Sequence, residues 1–278
     1  MPEGDTVWRT ALHLDRALSG DLLVETDFRI PAYATLDLRG RRVEGTLARG
    51  KHLLTRVAAA EPSDPTGAQR PAAGPLTLHT HLRMEGSWHL YRPGSRWRRP
   101  AHEARVVLRT QAWTAVGFAL GVVEVVDRDA EDSVVGHLGP DLLGPDWDEE
   151  EALRRLRADP ARPVGEAILD QRNLAGIGNL YKSELCFLAG VHPRLPVGEV
   201  PDLPRLVRRA RAALDANKER VAQTLTGDLR TGRQTWVYRR DGRPCRRCGT
   251  RVRVEEHGPT GQERASYWCP SCQAGPAG

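Results

Sequence analysis

The stretch DQRNLAGIGNLYKSE, residues 170–184, predicts a tight turn between two helices. Gly176 and Gly178 allow a compact backbone with exposed N–H groups, and Asn179 is placed to cap the helix that follows. A helix N-terminus combines converging N–H donors with the positive end of the helix dipole, so a phosphate group fits there. Because Gly-x-Gly turns are common, the prediction of an anion site depends on the rest of the chain.

The segments around this turn have helical periodicity. Helices are predicted at residues 148–158, 164–171, 179–189 and 203–225. A hinge rich in proline and glycine, residues 136–145, precedes them. Cys186 lies in an apolar helical stretch and is most simply a small core residue.

The end of the chain has four cysteines at the spacing of a metal site. Cys245-x2-Cys248 and Cys269-x2-Cys272 form two knuckles, which together present four thiolates at about 2.3 Å from one Zn²⁺. No position remains for water, so the predicted zinc is structural. Short strands at residues 251–255 and 264–268 predict a β-hairpin, and metal binding of about 10–16 kcal/mol would supply its folding energy. A redox dithiol pair is the alternative.

The region around these cysteines is rich in arginine, a composition that suits contact with phosphates. The arginines are Arg239, Arg240, Arg243, Arg246, Arg247, Arg251, Arg253 and Arg264. A solvated charged face is the alternative interpretation.

The first half of the chain has the alternation of β-strands. Strands are predicted at residues 22–29, 42–48, 52–57, 76–81, 86–91, 104–109, 113–118 and 122–126. Short strands at this spacing indicate a sandwich or a flattened barrel. Residues 61–75, rich in Pro, Ala and Gly, are predicted to form a flexible hairpin loop, to which no function is assigned.

An amphipathic helix is predicted before the first strand, with Asp5 or Thr6 as its cap. Its apolar face consists of Val7, Ala11, Leu14 and Leu18. The chain is therefore expected to contain a β domain, a helical domain and a small metal module.

Composition limits the partners and the location. The 278 residues carry a net charge of +5, which suits a polyanionic partner, although many soluble proteins are as basic. Of 41 Lys+Arg only Lys51, Lys182 and Lys218 are lysines, so a lysine in this chain is informative. The start MPEGDTVWRT lacks the features of a signal peptide, and no run of eighteen apolar residues exists. A cytoplasmic location without membrane contact is expected.

Four blocks in this order resemble the formamidopyrimidine-DNA glycosylase / endonuclease VIII (Fpg/Nei) family of base-excision repair enzymes, and the endonuclease VIII branch most closely. The blocks are MPEG at the start, RGKHLL around Lys51, the turn at residues 170–184, and GRPCRRCG with RASYWCPSCQ at the end. The resemblance implies an α+β multidomain fold, in which an N-terminal helix and a two-layer β-sandwich precede a helix–two-turn–helix domain and a C-terminal zinc-finger β-hairpin. The expected limits are 1–132 for the catalytic domain, 133–147 for a hinge, 148–235 for the helical domain and 236–278 for the zinc finger.

The resemblance makes Pro2 the nucleophile, exposed by removal of Met1. Its secondary amine, with a pKa of the α-amino class near 8, would attack C1′ of the damaged nucleotide and form a Schiff base. Glu3 would shuttle protons, and Lys51 would lie near the target phosphate and sugar. One departure is that family members commonly have Pro-Glu where this chain has Asp5-Thr6, which puts the role of that glutamate in doubt.

The resemblance also predicts the DNA contacts. In the segment HLRMEG, Met84 would fill the gap left by the flipped nucleotide, Arg83 would face the orphaned base, and His81 would lie near a phosphate. Arg264 would contact the phosphates flanking that nucleotide, opposite Asn179.

The expected substrate is double-stranded DNA with oxidised bases or abasic sites, and the expected state is a monomer. Oxidised pyrimidines are favoured for two reasons. The segment VGFALG, residues 116–121, lacks the arginines of the Fpg void-filling motif, and only residues 226–234 are available for a lesion-holding loop. Three alternatives remain: an oxidised-purine glycosylase, an AP lyase with little base excision, and a damaged-DNA-binding protein.

Overall fold

A computed structural model of the chain describes residues 2–60, 74–258, 261, 263–273 and 275. The chain folds into two units. The first contains Pro2 and residues 6–137, and the second contains residues 3–5 and those from 138 onward. Most of the predicted loop at residues 61–75 lies outside the described residues. Among the residues that are described, every helix is too short or too polar to cross a bilayer.

The first unit has a helix and two antiparallel sheets, as expected. The helix is α1 (Gly4–Leu18), whose predicted face of Val7, Ala11, Leu14 and Leu18 is buried. The strands are β1 (Glu25–Phe28), β2 (Val43–Arg49), β3 (His52–Val57), β4 (Leu76–His81), β5 (Ser87–Tyr91), β6 (Ala104–Arg109), β7 (Thr114–Phe118) and β8 (Val122–Asp127). One sheet has the order β1-β6-β7-β5 and the other β2-β3-β4-β8. Apolar residues from both sheets and from α1 share one core.

Two predictions at the start of the chain are wrong. The helix begins at Gly4, so Asp5 and Thr6 lie inside its first turn and do not cap it. The predicted strand at residues 22–29 is shorter because Leu22 makes only an isolated bridge to Arg42.

The second unit is mainly helical. After the short α2 (Asp132–Val135), which ends the first unit, the helices are α3 (Glu149–Arg157), α4 (Val164–Leu169), α5 (Asn179–Ala189) and α6 (Leu203–Asn217). Their apolar faces form one core, in which Tyr181 and Cys186 are fully buried. The predicted extension of α6 to residue 225 is wrong. The amide of Asn217 exchanges hydrogen bonds with the backbone of Thr224, and this pairing turns the chain away.

The cysteine-rich module follows α6 in the same unit. Strands β9 (Arg253–His257) and β10 (Arg264–Trp268) pair as an antiparallel hairpin. The first of them starts two residues later than predicted because Thr250 and Val252 bond back to Cys245 and Arg243 in the knuckle. Phe187 of α5 packs against the module.

Candidate active site and metal centre

The carboxylate of Glu3 lies at the N-terminus of α5. Its oxygens accept hydrogen bonds from the backbone N–H groups of Gly178 and Leu180 at 2.7 and 2.8 Å, and from Tyr181 at 3.4 Å. The side chain is fully buried. The sequence predicted that these donors bind a phosphate. In the structure the anion that they bind is a carboxylate of the chain itself.

The turn before α5 is built for this approach. The Gly4 N–H donates to the Gly176 carbonyl at 2.9 Å, and Gly176 has a φ of +112°. A Cβ on Gly178 would lie 2.4 Å from Cδ of Glu3, and a Cβ on Gly4 would lie 2.9 Å from Cα of Gly176. The glycines are therefore needed so that the N-terminal segment can contact the turn.

Asn179 does not cap α5, contrary to prediction. It is the first helical residue, and Gly178, which has no side chain to make a capping bond, is the cap residue. The carboxylate of Glu3 accepts the first-turn N–H groups instead. Nδ2 of Asn179 donates to the carbonyl of Ala265 in β10 at 2.8 Å.

Asp5, the residue at the departure from the family pattern, is also buried. Its Oδ2 accepts from the Tyr181 hydroxyl at 2.9 Å, and both its oxygens lie within 2.9 Å of Nε2 of Gln223. No local pattern predicts this network, since its three members are far apart along the chain.

Pro2 directly precedes these anchored residues and is half-buried, whereas Met1 lies outside the described residues. Lys51 lies in the turn between β2 and β3 and is also half-buried. Pro2 and Lys51 belong to the first unit and Glu3 to the second.

Next to Lys51 the first unit has a chain of hydrogen-bonded side chains that was not predicted from the sequence. Nδ1 of His52 lies 2.8 Å from Nε2 of His79, and Nδ1 of His79 lies 2.9 Å from Oε2 of Glu124. Burial, together with the nearby histidines His81, His79 and His137, lowers the pKa of His52 to about 3, so its ring is neutral. The alignment of β3, β4 and β8 brings these residues together, and local pattern does not predict that alignment.

The predicted wedge loop is an exposed turn. Met84 is 61% exposed, which favours a loop tip over a core residue, and Arg83 has a φ of +52°. The Arg83 N–H donates to Nδ1 of His81 at 2.9 Å, so the neutral ring carries its proton on Nε2. Burial, followed by the positive charges of Arg83 and Lys51, lowers the pKa of His81 to about 4.

The segment compared with the Fpg void-filling motif has its large side chains inside the protein. Val116 and Phe118 are fully buried in β7, and Leu120 is 7% exposed. This segment is part of the core of the first unit.

On α5, Asn179 and Lys182 both reach the strand that carries Arg264. Nζ of Lys182 donates to Oγ of Ser266 at 2.5 Å and lies 3.4 Å from the same Ala265 carbonyl that Asn179 binds. Burial lowers the pKa of Lys182 to about 8. Arg264 itself is exposed, so α5 holds the backbone next to a guanidinium that faces solvent.

The four predicted metal ligands come together. The Sγ atoms of Cys245, Cys248, Cys269 and Cys272 all lie within 4.8 Å of one another, with Cys245–Cys272 at 3.9 Å and Cys248–Cys269 at 3.4 Å. Thiolates at 2.3 Å from a tetrahedral metal are about 3.8 Å apart. The four cysteines can therefore bind a metal ion.

Two family models match the chain. The formamidopyrimidine-DNA glycosylase N-terminal domain matches residues 1–119, and the formamidopyrimidine-DNA glycosylase H2TH domain matches residues 138–225.

Relatives match over nearly their whole length. A probable endonuclease 8 2 of Streptomyces coelicolor is 56% identical over 280 residues, covering 100% of this chain and 95% of that protein. The DNA-(apurinic or apyrimidinic site) lyase Nei2 of Mycolicibacterium smegmatis is 47% identical, covering 98% of this chain and 99% of its own.

Solved structures show the same fold at low sequence identity. MutM in complex with DNA containing carbocyclic 8-oxo-G superimposes with a TM-score of 0.76 at 20% identity, over 98% of this chain and 100% of that one. Lactococcus lactis Fpg bound to DNA containing an AP site gives 0.75 at 21% identity, over 98% and 99%.

Proposed function

Because this chain belongs to the formamidopyrimidine-DNA glycosylase / endonuclease VIII family of base-excision repair glycosylases and AP lyases, we propose that Pro2 is its nucleophile and that oxidised pyrimidines are its preferred bases. Its substrate is double-stranded DNA containing an oxidised base or an abasic site, and it acts as a monomer. The domain limits and the cytoplasmic location expected from the sequence remain predictions.

The observation that carries the proposal is the anchoring of Glu3. Backbone N–H groups of Gly178 and Leu180 hold its carboxylate at 2.7 and 2.8 Å, so the residue directly after Pro2 has a fixed position. Backbone donors are rigid and keep a catalytic carboxylate in place without side-chain entropy. A buried carboxylate adjacent to an N-terminal secondary amine suits an amine nucleophile that must lose and return protons.

The reaction follows from these groups. The neutral Pro2 nitrogen attacks C1′ and gives up its N–H proton, the bond from C1′ to the base breaks, and the departing base takes up that proton. The sugar ring opens as its O4′ takes a proton, which Glu3 supplies, and an iminium forms between Pro2 and C1′. The iminium draws electrons from C2′, whose proton passes to the carboxylate that Glu3 became when it protonated O4′. The bond to the 3′ phosphate then breaks by β-elimination and the bond to the 5′ phosphate by δ-elimination.

The remaining site residues bind and orient the DNA. Lys51 lies next to the target phosphate and sugar, where a compact ammonium serves both phosphate binding and proton transfer. Met84 fills the gap in the duplex, Arg83 faces the orphaned base, and the Nε2 proton of His81 is donated to a phosphate. Asn179 and Arg264 contact the flanking phosphates. The exposure of Met84 and Arg264 supports these roles.

One structural Zn²⁺ is proposed at Cys245, Cys248, Cys269 and Cys272. Sγ–Sγ distances of 3.4 and 3.9 Å between opposite knuckles suit a tetrahedral ion with four thiolate ligands. The ion would have no open position, and its contribution would be to hold the hairpin that carries Arg264.

Borohydride trapping tests the nucleophile. The protein with Met1 removed should form a covalent adduct with abasic DNA, and Pro2→Gly should weaken or abolish it. Lys218→Arg is the matched control, since Lys218 pairs with Asp215 on α6 and should not affect the adduct. Undiminished trapping by protein with a blocked N-terminus would show that Pro2 is not the nucleophile.

A second candidate is an AP lyase with little base excision. The state of Asp5 favours this candidate. Asp5 is buried and its oxygens bind Tyr181 and Gln223, so it does not take the place of the glutamate that other family members have. The Nei2 relative is itself named as a lyase. A panel of thymine glycol, 5-hydroxycytosine, 8-oxoguanine opposite cytosine, and abasic DNA separates the candidates. Cleavage of abasic DNA alone identifies the lyase, and faster release of 8-oxoguanine reverses the order of substrates proposed above.

A further inference from the structure

Asp5 has both carboxylate oxygens engaged inside the second unit. Oδ2 accepts from the Tyr181 hydroxyl at 2.9 Å, and Nε2 of Gln223 lies 2.7 and 2.9 Å from Oδ1 and Oδ2. The residue is 1% exposed. A carboxylate held in this way would have to break charge-assisted hydrogen bonds before it could reach a substrate.

Tyr181 connects this network to Glu3. Its hydroxyl binds Asp5 while its backbone N–H lies 3.4 Å from Oε2 of Glu3. Tyr181 is fully buried, and burial together with the charge of Asp5 raises the pKa of its phenol, which therefore remains a hydrogen-bond donor. The positions of Asp5 and Glu3 thus depend on the same turn of α5.

Gln223 connects the network to the segment after α6. The neighbouring Thr224 is fixed by two backbone hydrogen bonds with the side chain of Asn217. The Thr224 hydroxyl also receives the Gly227 N–H and lies 3.0 Å from the Asp228 carbonyl. Gln223 is therefore presented to Asp5 from a well-anchored segment.

We propose that Asp5 is a positioning residue, which through Tyr181 and Gln223 fixes the first turn of α1 and thereby the place of Glu3 and Pro2. Its carboxylate does not contact the sugar. This inference rests on the proposed role of Pro2. It assigns to Asp5 the positioning of the catalytic residues in a chain that lacks the glutamate of other family members. Glu3, Gly4 and Asp5 are then three consecutive anchors, bonded to Leu180, Gly176 and Tyr181 respectively.

The test exchanges the polarity of one hydrogen bond. In Asp5→Ala the anchor is lost, and in Asp5→Asn the amide of Gln223 must turn to offer Oε1 to the new NH₂ group, so the charge-assisted hydrogen bonds are lost. In the double variant Asp5→Asn with Gln223→Glu, the new amide can donate to the new carboxylate, and the Tyr181 hydroxyl can still donate to the amide oxygen. Asp202→Ala is the control, because it removes the cap of α6 without contact to residues 3–5.

The trapping rate, the DNA dissociation constant, amide hydrogen exchange and the melting temperature are measured on each full-length protein. Single-turnover trapping with abasic DNA should slow about 10–100-fold in Asp5→Ala, while the dissociation constant for the DNA changes less than about threefold. Amide hydrogen exchange at Gly178 and Leu180 should accelerate, because their acceptor Glu3 is less fixed. The double variant should recover most of both losses, and Asp202→Ala should lower the melting temperature without changing the rate of trapping.

The outcomes separate the two proposals. If the wild-type protein does not trap, the role of Pro2 is wrong, and hydrogen exchange still decides whether Asp5 anchors Glu3. If the wild type traps and Asp5→Ala traps at the same rate, the positioning role is wrong. If Asp5→Asn loses activity and the double variant does not recover it while exchange stays at the wild-type level, Asp5 contacts the substrate directly.

Discussion

The N-terminus of α5 and the loop at residues 81–86 were both expected to contact DNA, but their structures differ. At α5 the backbone donors of Gly178 and Leu180 already hold Glu3, which is fully buried. In the loop the Arg83 N–H donates to the ring of His81 two residues earlier, and this local hydrogen bond stabilises the turn. Met84 at the tip of that turn is 61% exposed.

Two segments that were both expected to contact DNA therefore differ in whether a group of the protein already occupies them. A helix N-terminus attracts an anion, but a buried carboxylate from the same chain satisfies it as well as a phosphate does. An exposed methionine between charged residues keeps most of its surface open to a ligand. On the proposed function, the buried backbone donors of α5 position a catalytic carboxylate, whereas the exposed loop is open to contact with the duplex.

The largest effect is expected for Glu3→Gln. The substitution removes the proposed proton shuttle and places an NH₂ group against backbone N–H donors, so the single-turnover rate of strand cleavage should fall about 10²–10⁴-fold. Unfolding by urea should show a loss of about 1.5–3 kcal/mol, the usual value for a hydrogen bond to a charged group.

Glu25→Gln is the matched control for this prediction. Glu25 forms an exposed ion pair with Arg109, and its loss should change stability by less than about 0.5 kcal/mol and leave the cleavage rate unchanged. A wild-type rate in Glu3→Gln would mean that the α5 site is structural only.

The second effect is expected for Gly178→Ala. Its Cβ would lie 2.4 Å from Cδ of Glu3, so the carboxylate must move off the donors of α5. A displacement of this kind should slow trapping roughly 10–100-fold and cost about 1–3 kcal/mol of stability.

Gly74→Ala is the comparison for steric effects, since nothing lies within 4 Å of a Cβ at that position. It should behave as wild type in both assays. Normal trapping by Gly178→Ala would show that the placement of Glu3 tolerates more movement than the contacts indicate.

Elements with local patterns were predicted from the sequence better than the contacts between them. Strands β3, β4 and β6 and helix α5 have the predicted bounds, because alternation and helical periodicity are local properties. The four cysteines were found from spacing alone. The occupant of the α5 N-terminus was not, because Glu3 and Gly178 are 175 positions apart. The end of α6 was misplaced for a similar reason, since the side chain of Asn217 bonds to Thr224 beyond the helix.

A smaller effect is expected for Met84→Ala in the loop. Because the side chain is largely exposed, stability should change by less than about 0.5 kcal/mol. Release of an oxidised pyrimidine from duplex DNA should slow about tenfold, since the cost of unstacking is no longer offset by the wedge. Cleavage of the same lesion in single-stranded DNA should change little.

Leu22→Ala provides the control in the same unit. Leu22 lies outside the loop and is an apolar residue that is 44% exposed. Its replacement should leave the cleavage of both the duplex and the single-stranded substrate unchanged. Equal losses on duplex and single strands in Met84→Ala would contradict the wedge and favour a general role in binding.

The smallest effect concerns His81, whose contribution to DNA binding should hardly depend on pH. The pKa of His81 is lowered from 6.5 to about 4 by burial and by Arg83 and Lys51, so the folded protein keeps this ring neutral. The unfolded chain binds the extra proton below its own pKa of 6.5, so the contribution of His81 to stability is complete above that pH and is lost as pH falls towards 4.

Between about pH 8 and about pH 6.5 the ring donates its Nε2 proton as a neutral group. The ratio of DNA dissociation constants for wild type and His81→Gln should therefore stay constant within about twofold over this range. A ratio that grows steadily as the solution is acidified would mean that a charged His81 binds the phosphate, and that the loop, unlike the α5 site, recruits its anion through a titrating side chain.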